Sequence, residues 1–232
     1  MFRPLGLLRS FLLAWLFPAA CYGCGREDAA LCSDCFRRLR FYKTPRSAEQ
    51  TALIAAPALS GLFIAGDYED PLLSRLIKKF KYNFLTELAK PLGRFLTLFW
   101  QGRLALAENS VQGRNLWETV VLAPVPLAKR RLHWRGSNQA ELLARELGAA
   151  FGYPLLAGLR RIKHTEVQAK LKGRERQQNL RGAFVWTGAP LAGQTIILID
   201  DVVTTGATLN EAASALQAGG AGKIYGLVLA KG

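Results

Sequence analysis

Acidic residues and cysteines are scarce in this chain. Its 232 residues include 17 Asp and Glu against 31 Lys and Arg, for a net charge of +14 and a pI near 10.1. That balance disfavours cationic partners. It suits polyanions such as nucleic acid or a phosphate-rich substrate, and a merely basic surface fits it too. No cysteine follows Cys35, so the body of the chain has no disulfide framework, and a reducing, cytoplasmic setting suits it. There is no internal repeat and no low-complexity tract, which excludes a solenoid or a composition-driven disordered protein. The apolar run Leu5 to Phe17 is too short to span a bilayer and is broken by Arg9. Two readings of it stand. It is a docking helix packed on the body or lying at the inner membrane face as a peripheral contact, or it is an export signal ending in Pro18-Ala19-Ala20. Cleavage there would consume the setting of Cys21.

The cysteines that are present form one pattern. Cys21, Cys24, Cys32 and Cys35 are spaced C-x2-C-x7-C-x2-C. Each C-x2-C pair can grip one ion from a tight knuckle, and two knuckles make a closed four-thiolate site suited to structural zinc. Two disulfides or an iron–sulfur site are the alternatives.

Half of the residues are hydrophobic, enough for one α/β domain and a small appendage. The expected organisation is an apolar N-terminal helix over 1–20, a cysteine module and linker over 21–57, an intermediate part over 58–118 and a core over 119–232. In the intermediate part, Gly61 to Tyr68 reads as a strand. Asp70-Pro71 opens a helix with Leu72, Leu73, Leu76, Ile77 and Phe80 on one face. Lys78, Lys79 and Lys81 are assigned to its solvated face. A second helix is expected over Leu85 to Trp100, and a loop over Gln101 to Leu116. The core alternates strands at Thr119–Ala123, Leu155–Arg160, Gly182–Trp186, Thr195–Asp200 and Lys223–Leu229 with helices near Asn138–Phe151 and Leu209–Gln217. That order predicts a mostly parallel five-stranded sheet with crossover helices.

Ile196-Ile197-Leu198-Ile199-Asp200-Asp201 is the most informative stretch. Its apolar run reads as a buried parallel strand that ends in two carboxylates, where open α/β sheets place ligands. Thr204-Thr205-Gly206-Ala207-Thr208 follows, offering backbone N–H groups and hydroxyls as an anion cradle. Thr208 with Glu211 matches a capping box, so a helix is expected to start there and to turn its positive end on the same anion. Carboxylates accept hydrogen bonds from sugar hydroxyls, while the loop donates to a phosphate. The two together suit a phosphorylated sugar. Lys129 and Arg130, which follow Pro124-Val125-Pro126, and Arg135 are candidates for a further phosphate. So is Arg176, within the long basic segment from Arg161 to Arg181 that also holds Lys163, His164 and Lys170.

The 196–208 segment resembles the phosphoribosyl-pyrophosphate (PRPP) signature of type I phosphoribosyltransferases. The resemblance implies that fold, with a hood over the site, and implies that Asp200 and Asp201 hold the ribose while Thr204, Thr205, Gly206, Ala207 and Thr208 hold the 5-phosphate. It also implies Mg2+ on the pyrophosphate. Thr204 stands where purine-salvage members carry an aspartate base, so a 6-oxopurine acceptor deprotonated from that position is not expected. Pro124-Val125-Pro126, Arg135-Gly136-Ser137-Asn138-Gln139, Gln168, Arg176, Asn179, Gly182-Ala183-Phe184 and Leu76-Ile77-Lys78 to Tyr82 are similar to the ComF family, which joins a tetra-cysteine zinc module to such a domain. Ser137 departs from the aromatic residue usual there. The family is implicated in natural transformation, so the resemblance implies single-stranded DNA and DNA-uptake proteins as partners. Two functions follow. One is a module that binds PRPP or another ribose 5-phosphate ligand and supports uptake or processing of transforming DNA. The other is an active phosphoribosyltransferase of nucleotide or amine metabolism, for which no residue identifies the acceptor.

Overall fold

A computed structural model describes residues 20–27, 29–42, 56–82, 85–107, 117, 119–163 and 180–232. The expected N-terminal helix over 1–20 lies almost wholly outside them, as do His164, Gln168, Lys170, Arg176 and Asn179. In chain order the elements are α1 (Ser33–Arg38), β1 (Gly61–Asp67), α2 (Pro71–Tyr82), a 3-10 turn (Thr86–Leu88), α3 (Ala89–Ala107), β2 (Val121–Pro124), α4 (Lys129–Arg135), α5 (Gln139–Phe151), β3 (Leu159–Arg161), β4 (Phe184–Trp186), β5 (Ile196–Val203), α6 (Ala207–Ala218) and β6 (Ile224–Lys231).

The main sheet is entirely parallel, with strand order β1-β6-β5-β2. Its β5 is covered on both sides, which explains the unbroken apolar run. Ile197 and Ile199 face a layer built from α2, α3 and α5, whereas Ile196 and Leu198 face α6. All four are fully buried. In α3, Leu92, Phe95, Leu96, Phe99 and Trp100 fall at helical spacing and form the buried stripe. Trp100 meets Phe63 of β1 edge-on at 5.1 Å, and Trp117 at 5.0 Å. Such pairs add about 0.5–1.5 kcal/mol each beyond their burial.

The fold is the expected α/β arrangement, but the strands are shared out differently. Of the five core strands read from the sequence, β2, β5 and β6 enter the main sheet, and the fourth place is taken by β1 from the N-terminal half. Leu155 touches the outer edge through a single parallel bridge to Leu122. Gly158, at φ 127°, then turns the chain off that edge, and β3 pairs antiparallel with β4 as a separate ribbon. The helix at α3 also outruns its expected end at Trp100, because Arg103 lies over the Phe99 ring at 5.3 Å and prolongs the packed face. Part of the expected 101–116 loop is therefore helical. Among the described residues, no helix is long and apolar enough to cross a membrane.

Candidate functional site

The cysteine module and the C-terminal end of the sheet are the two chemically distinctive places. In the module, the Sγ atoms of Cys21, Cys24, Cys32 and Cys35 all lie within 4.8 Å of one another. The Cys24 and Cys32 sulfurs are 3.7 Å apart, too far for a disulfide near 2.05 Å. Four thiolates around zinc at about 2.3 Å would be separated by about 3.8 Å, so the donor set fits a tetrahedral ion. The backbone N–H groups of Gly23 and Cys32 donate to Cys21 Sγ at 3.4 and 3.3 Å. Burial pushes the Cys21 thiol up, yet N–H groups of Cys32, Cys24 and Gly23 outweigh it and bring it down to about 6, towards the ligating thiolate. The module rests on α2 and the turn before α3. Tyr22 Oη donates to Glu87 at 2.9 Å, and Lys79 Nζ sits 4.9 Å from the Tyr22 ring centre.

At the sheet end, β5 carries its acids just before the chain leaves the ladder: Asp200 pairs with Val228, and Val202 with Ala230. The next three residues, Thr204 to Gly206, make the turn into α6. The helix begins at Ala207 with Gly206 as its N-cap at φ 77°, a left-handed conformation open to glycine. The expected Thr208–Glu211 capping box does not form. Glu211 instead accepts from the backbone N–H of Gly182 at 2.8 Å, tying α6 to the segment before β4. In α5, by contrast, Asn138 is the N-cap and accepts from Ala140 N at 3.2 Å, as its position suggests.

Asp200, Asp201, Thr204, Thr205, Gly206, Ala207, Thr208 and Arg135 line one cavity of about 190 Å³, room for a small molecule rather than a lone ion. Lys129 and Arg130 do not line it. The 129–135 segment folds as a helix, which leaves both exposed and turns Arg131 and Arg135, one turn apart, to the cavity instead. Arg161 and Lys81 complete the cationic wall.

Lys81 corrects the solvated-face assignment. Its Nζ lies 2.9 Å from Asp201 Oδ1, with side-chain exposures of 17% and 11%. The signal was in the spacing: position 81 continues the row of Leu73 and Ile77 at four-residue steps, whereas Lys78 does not. Asp201 in turn has the strand parity of Ile197 and Ile199, whose face α2 covers. Arg161 was passed over as the start of a basic loop. Burial and the neighbouring Arg131 pull it below its ordinary range, and Asp200 pulls it back.

Burial, with the Asp201 charge next, pushes Asp200 up to about 7 from an ordinary 3.8; the Asp201 N–H, at 2.8 Å from Asp200 Oδ1, and Lys81 and Arg161 oppose that rise. The folded chain thus holds a proton there that the unfolded chain has released. Stability is lost as pH rises from about 4 through 7, and the penalty is complete above that window. Asp200→Asn keeps the acceptor for Asp201 N and removes the charge. At pH 8 it should raise Tm by roughly 3–10 °C, equivalent to about 1–3 kcal/mol, and the gain should vanish near pH 4. A pH series of thermal melts checks this, and an unchanged or lower Tm at pH 8 counts against the assignment.

Comparison with known proteins places both regions. Residues 12–49 match the family model described as a double zinc ribbon domain, and residues 135–232 match that of a phosphoribosyl transferase domain. With four cysteines in the chain, one all-cysteine site is the limit. The chain is 31% identical to Competence protein F of Haemophilus influenzae over 202 residues, 85% of this chain and 83% of that protein. It is 32% identical to the DNA utilization protein YhgH of Escherichia coli K12 over 212 residues, 90% and 88% of the two chains. It is 43% identical to the competence protein ComFC of Bacillus subtilis over 96 residues, 41% and 38% of the two chains.

Proposed function

The chain belongs to the ComF family of Competence protein F and its relatives, and we propose that its cleft binds PRPP or another ribose 5-phosphate ligand in support of DNA uptake or use. The observation that carries this reading is the sequence of groups along one cavity: acids at the end of β5, the Thr204–Thr208 loop, then the start of α6. Asp200 and Asp201 accept from ribose hydroxyls. Backbone N–H groups and hydroxyls of the loop donate to the 5-phosphate, helped by the positive end of α6. Arg131, Arg135 and Arg161 face the remaining anionic part of the ligand. Arg176 is assigned to that end from its place in the basic segment after Arg161 and from the resemblance. Mg2+ would arrive on the ligand's diphosphate and neutralise part of its charge, since among the described residues the cavity wall offers two carboxylates, one of them already paired with Lys81. The four-cysteine module is a structural zinc site that braces α2.

The DNA side of the proposal rests on the relatives' names and on surface chemistry. Lys129 and Arg130 are exposed on α4, and Trp134 on the same helix is 56% exposed. Cations beside a half-exposed aromatic side chain suit single-stranded DNA, whose phosphates and bases they can meet together. Calorimetric titration with PRPP and Mg2+, alone and then with single-stranded DNA, tests both parts. Saturable binding of one PRPP per chain is expected, with DNA affinity that weakens steeply as salt rises. No PRPP binding at about 1 mM, the upper end of ordinary substrate affinities, sinks the ligand reading.

A further inference from the structure

The cavity holds more positive charge than a ribose 5-phosphate requires. Among the described lining residues, Lys81, Arg131, Arg135 and Arg161 stand beside two carboxylates, while the loop and helix start that suit the first phosphate carry no formal charge. Arg131 and Arg161 are near enough to repel one another. Crowded cations of this kind are relieved by an anion between them.

Lys81 is the member of this group that comes from before β2 in the chain, whereas Arg131, Arg135 and Arg161 follow it. It comes from the last turn of α2, where the backbone carbonyls of a helix need partners. Gln139, 2% exposed, meets that need: its Nε2 donates to Phe80 O at 3.1 Å. Its Oε1 accepts from Arg135 Nη1 at 3.2 Å. One buried amide therefore fixes the helix end bearing Lys81 and the Arg135 guanidinium relative to each other. Apolar residues in place of a mostly buried pair such as Lys81 and Asp201 are often no less stable. An ammonium has three donors, and among the described residues Asp201 is the one carboxylate within ion-pair distance of Lys81.

We infer that Lys81 is a specificity-determining residue: held on Asp201, it donates to the second anionic group of a sugar phosphate, and Gln139 positions it beside Arg135 for that purpose. The inference rests on the ribose 5-phosphate reading above and names what selects a diphosphate-bearing ligand over the plain sugar phosphate. The first end of the ligand is shared by PRPP and ribose 5-phosphate, so only the second end should feel Lys81.

The test is titration of wild type, Lys81→Met, Lys81→Arg and Gln139→Leu with PRPP and with ribose 5-phosphate. Lys81→Met should weaken PRPP by about 10- to 100-fold, the scale of a charge-assisted hydrogen bond, and ribose 5-phosphate by no more than about 3-fold. Lys81→Arg should recover most of the PRPP affinity. Gln139→Leu should lose about 5-fold for PRPP alone, as a group acting through its neighbours. Equal losses for both ligands would mean that Lys81 acts only through Asp201 and the sugar, and would overturn the inference, as would no loss. If wild type bound ribose 5-phosphate and PRPP equally, the selection itself would be absent. If it bound neither, the underlying ligand reading would fail first and take the inference with it. Should Lys81→Met not fold, Lys81→Gln provides the same comparison.

Discussion

Asp201→Ala is expected to lower PRPP affinity by at least about 100-fold, a loss near 2.7 kcal/mol. Two causes add. The variant loses an acceptor for a ribose hydroxyl, and it leaves the Lys81 ammonium, 17% exposed, without its partner at 2.9 Å. Stability should fall as well, because removing one partner of a mostly buried pair leaves the other uncompensated. With both groups retaining some contact with water, a cost of about 1–3 kcal/mol is expected, below the figure for fully buried pairs. The double variant Asp201→Ala/Lys81→Met separates the two causes. It should regain much of the Tm while ligand affinity stays lost. Wild-type PRPP affinity in Asp201→Ala would remove the acid pair from the sugar and with it the central assignment.

Loss of the metal centre should have the other large effect. Cys32→Ser, or a strong chelator, should release one zinc per chain, measured with a chromogenic zinc indicator, and should unfold the 20–42 module. Structural zinc contributes about 10–16 kcal/mol of apparent binding energy to small zinc modules, and the apo module has little core with which to replace it. The consequence reaches the body because the module covers α2. Tyr22 holds Glu87, Arg94 lies 4.9 Å from the Phe36 ring centre, and Leu31, Cys35 and Leu39 share a cluster with Leu73 and Leu76. Melting should therefore lose its single transition or drop by more than about 5 °C, roughly 1–3 kcal/mol or more for a chain of this size. Chelators should act through Cys24, the one exposed thiol of the four. Two zinc ions per chain would contradict the single four-thiolate site, despite the double ribbon in the matching domain's description.

These two centres differ in how readable they were. Cys21, Cys24, Cys32 and Cys35 sit within fifteen residues, so their spacing already limits the loops that bring the sulfurs together. The acids and the Thr204–Thr208 loop are likewise contiguous. A buried strand, a turn that needs Gly206 and a helix start can be ordered in only a few ways over thirteen residues. Local inference erred where a side chain had two partners to choose from. Glu211 could cap α6 but takes Gly182 N–H, and Lys129 to Arg131 could all meet an anion until the helix of α4 selected Arg131.

Sequence alone thus determined the four-cysteine set, the buried β5 and the order of acids, loop and helix start after it, because each depends on bonded neighbours and backbone geometry. Tertiary structure decided what faces them. It made β1 from the N-terminal half pair with β6 across more than a hundred and fifty residues, sent β3 and β4 out of the main sheet, and brought Lys81, Arg135 and Arg161 to one wall. Those placements follow from which apolar faces can be buried together, and that depends on the whole chain at once. Lys81 shows the difference most clearly: its spacing put it at the edge of an apolar face, but only the packing of α2 over β5 gave it Asp201.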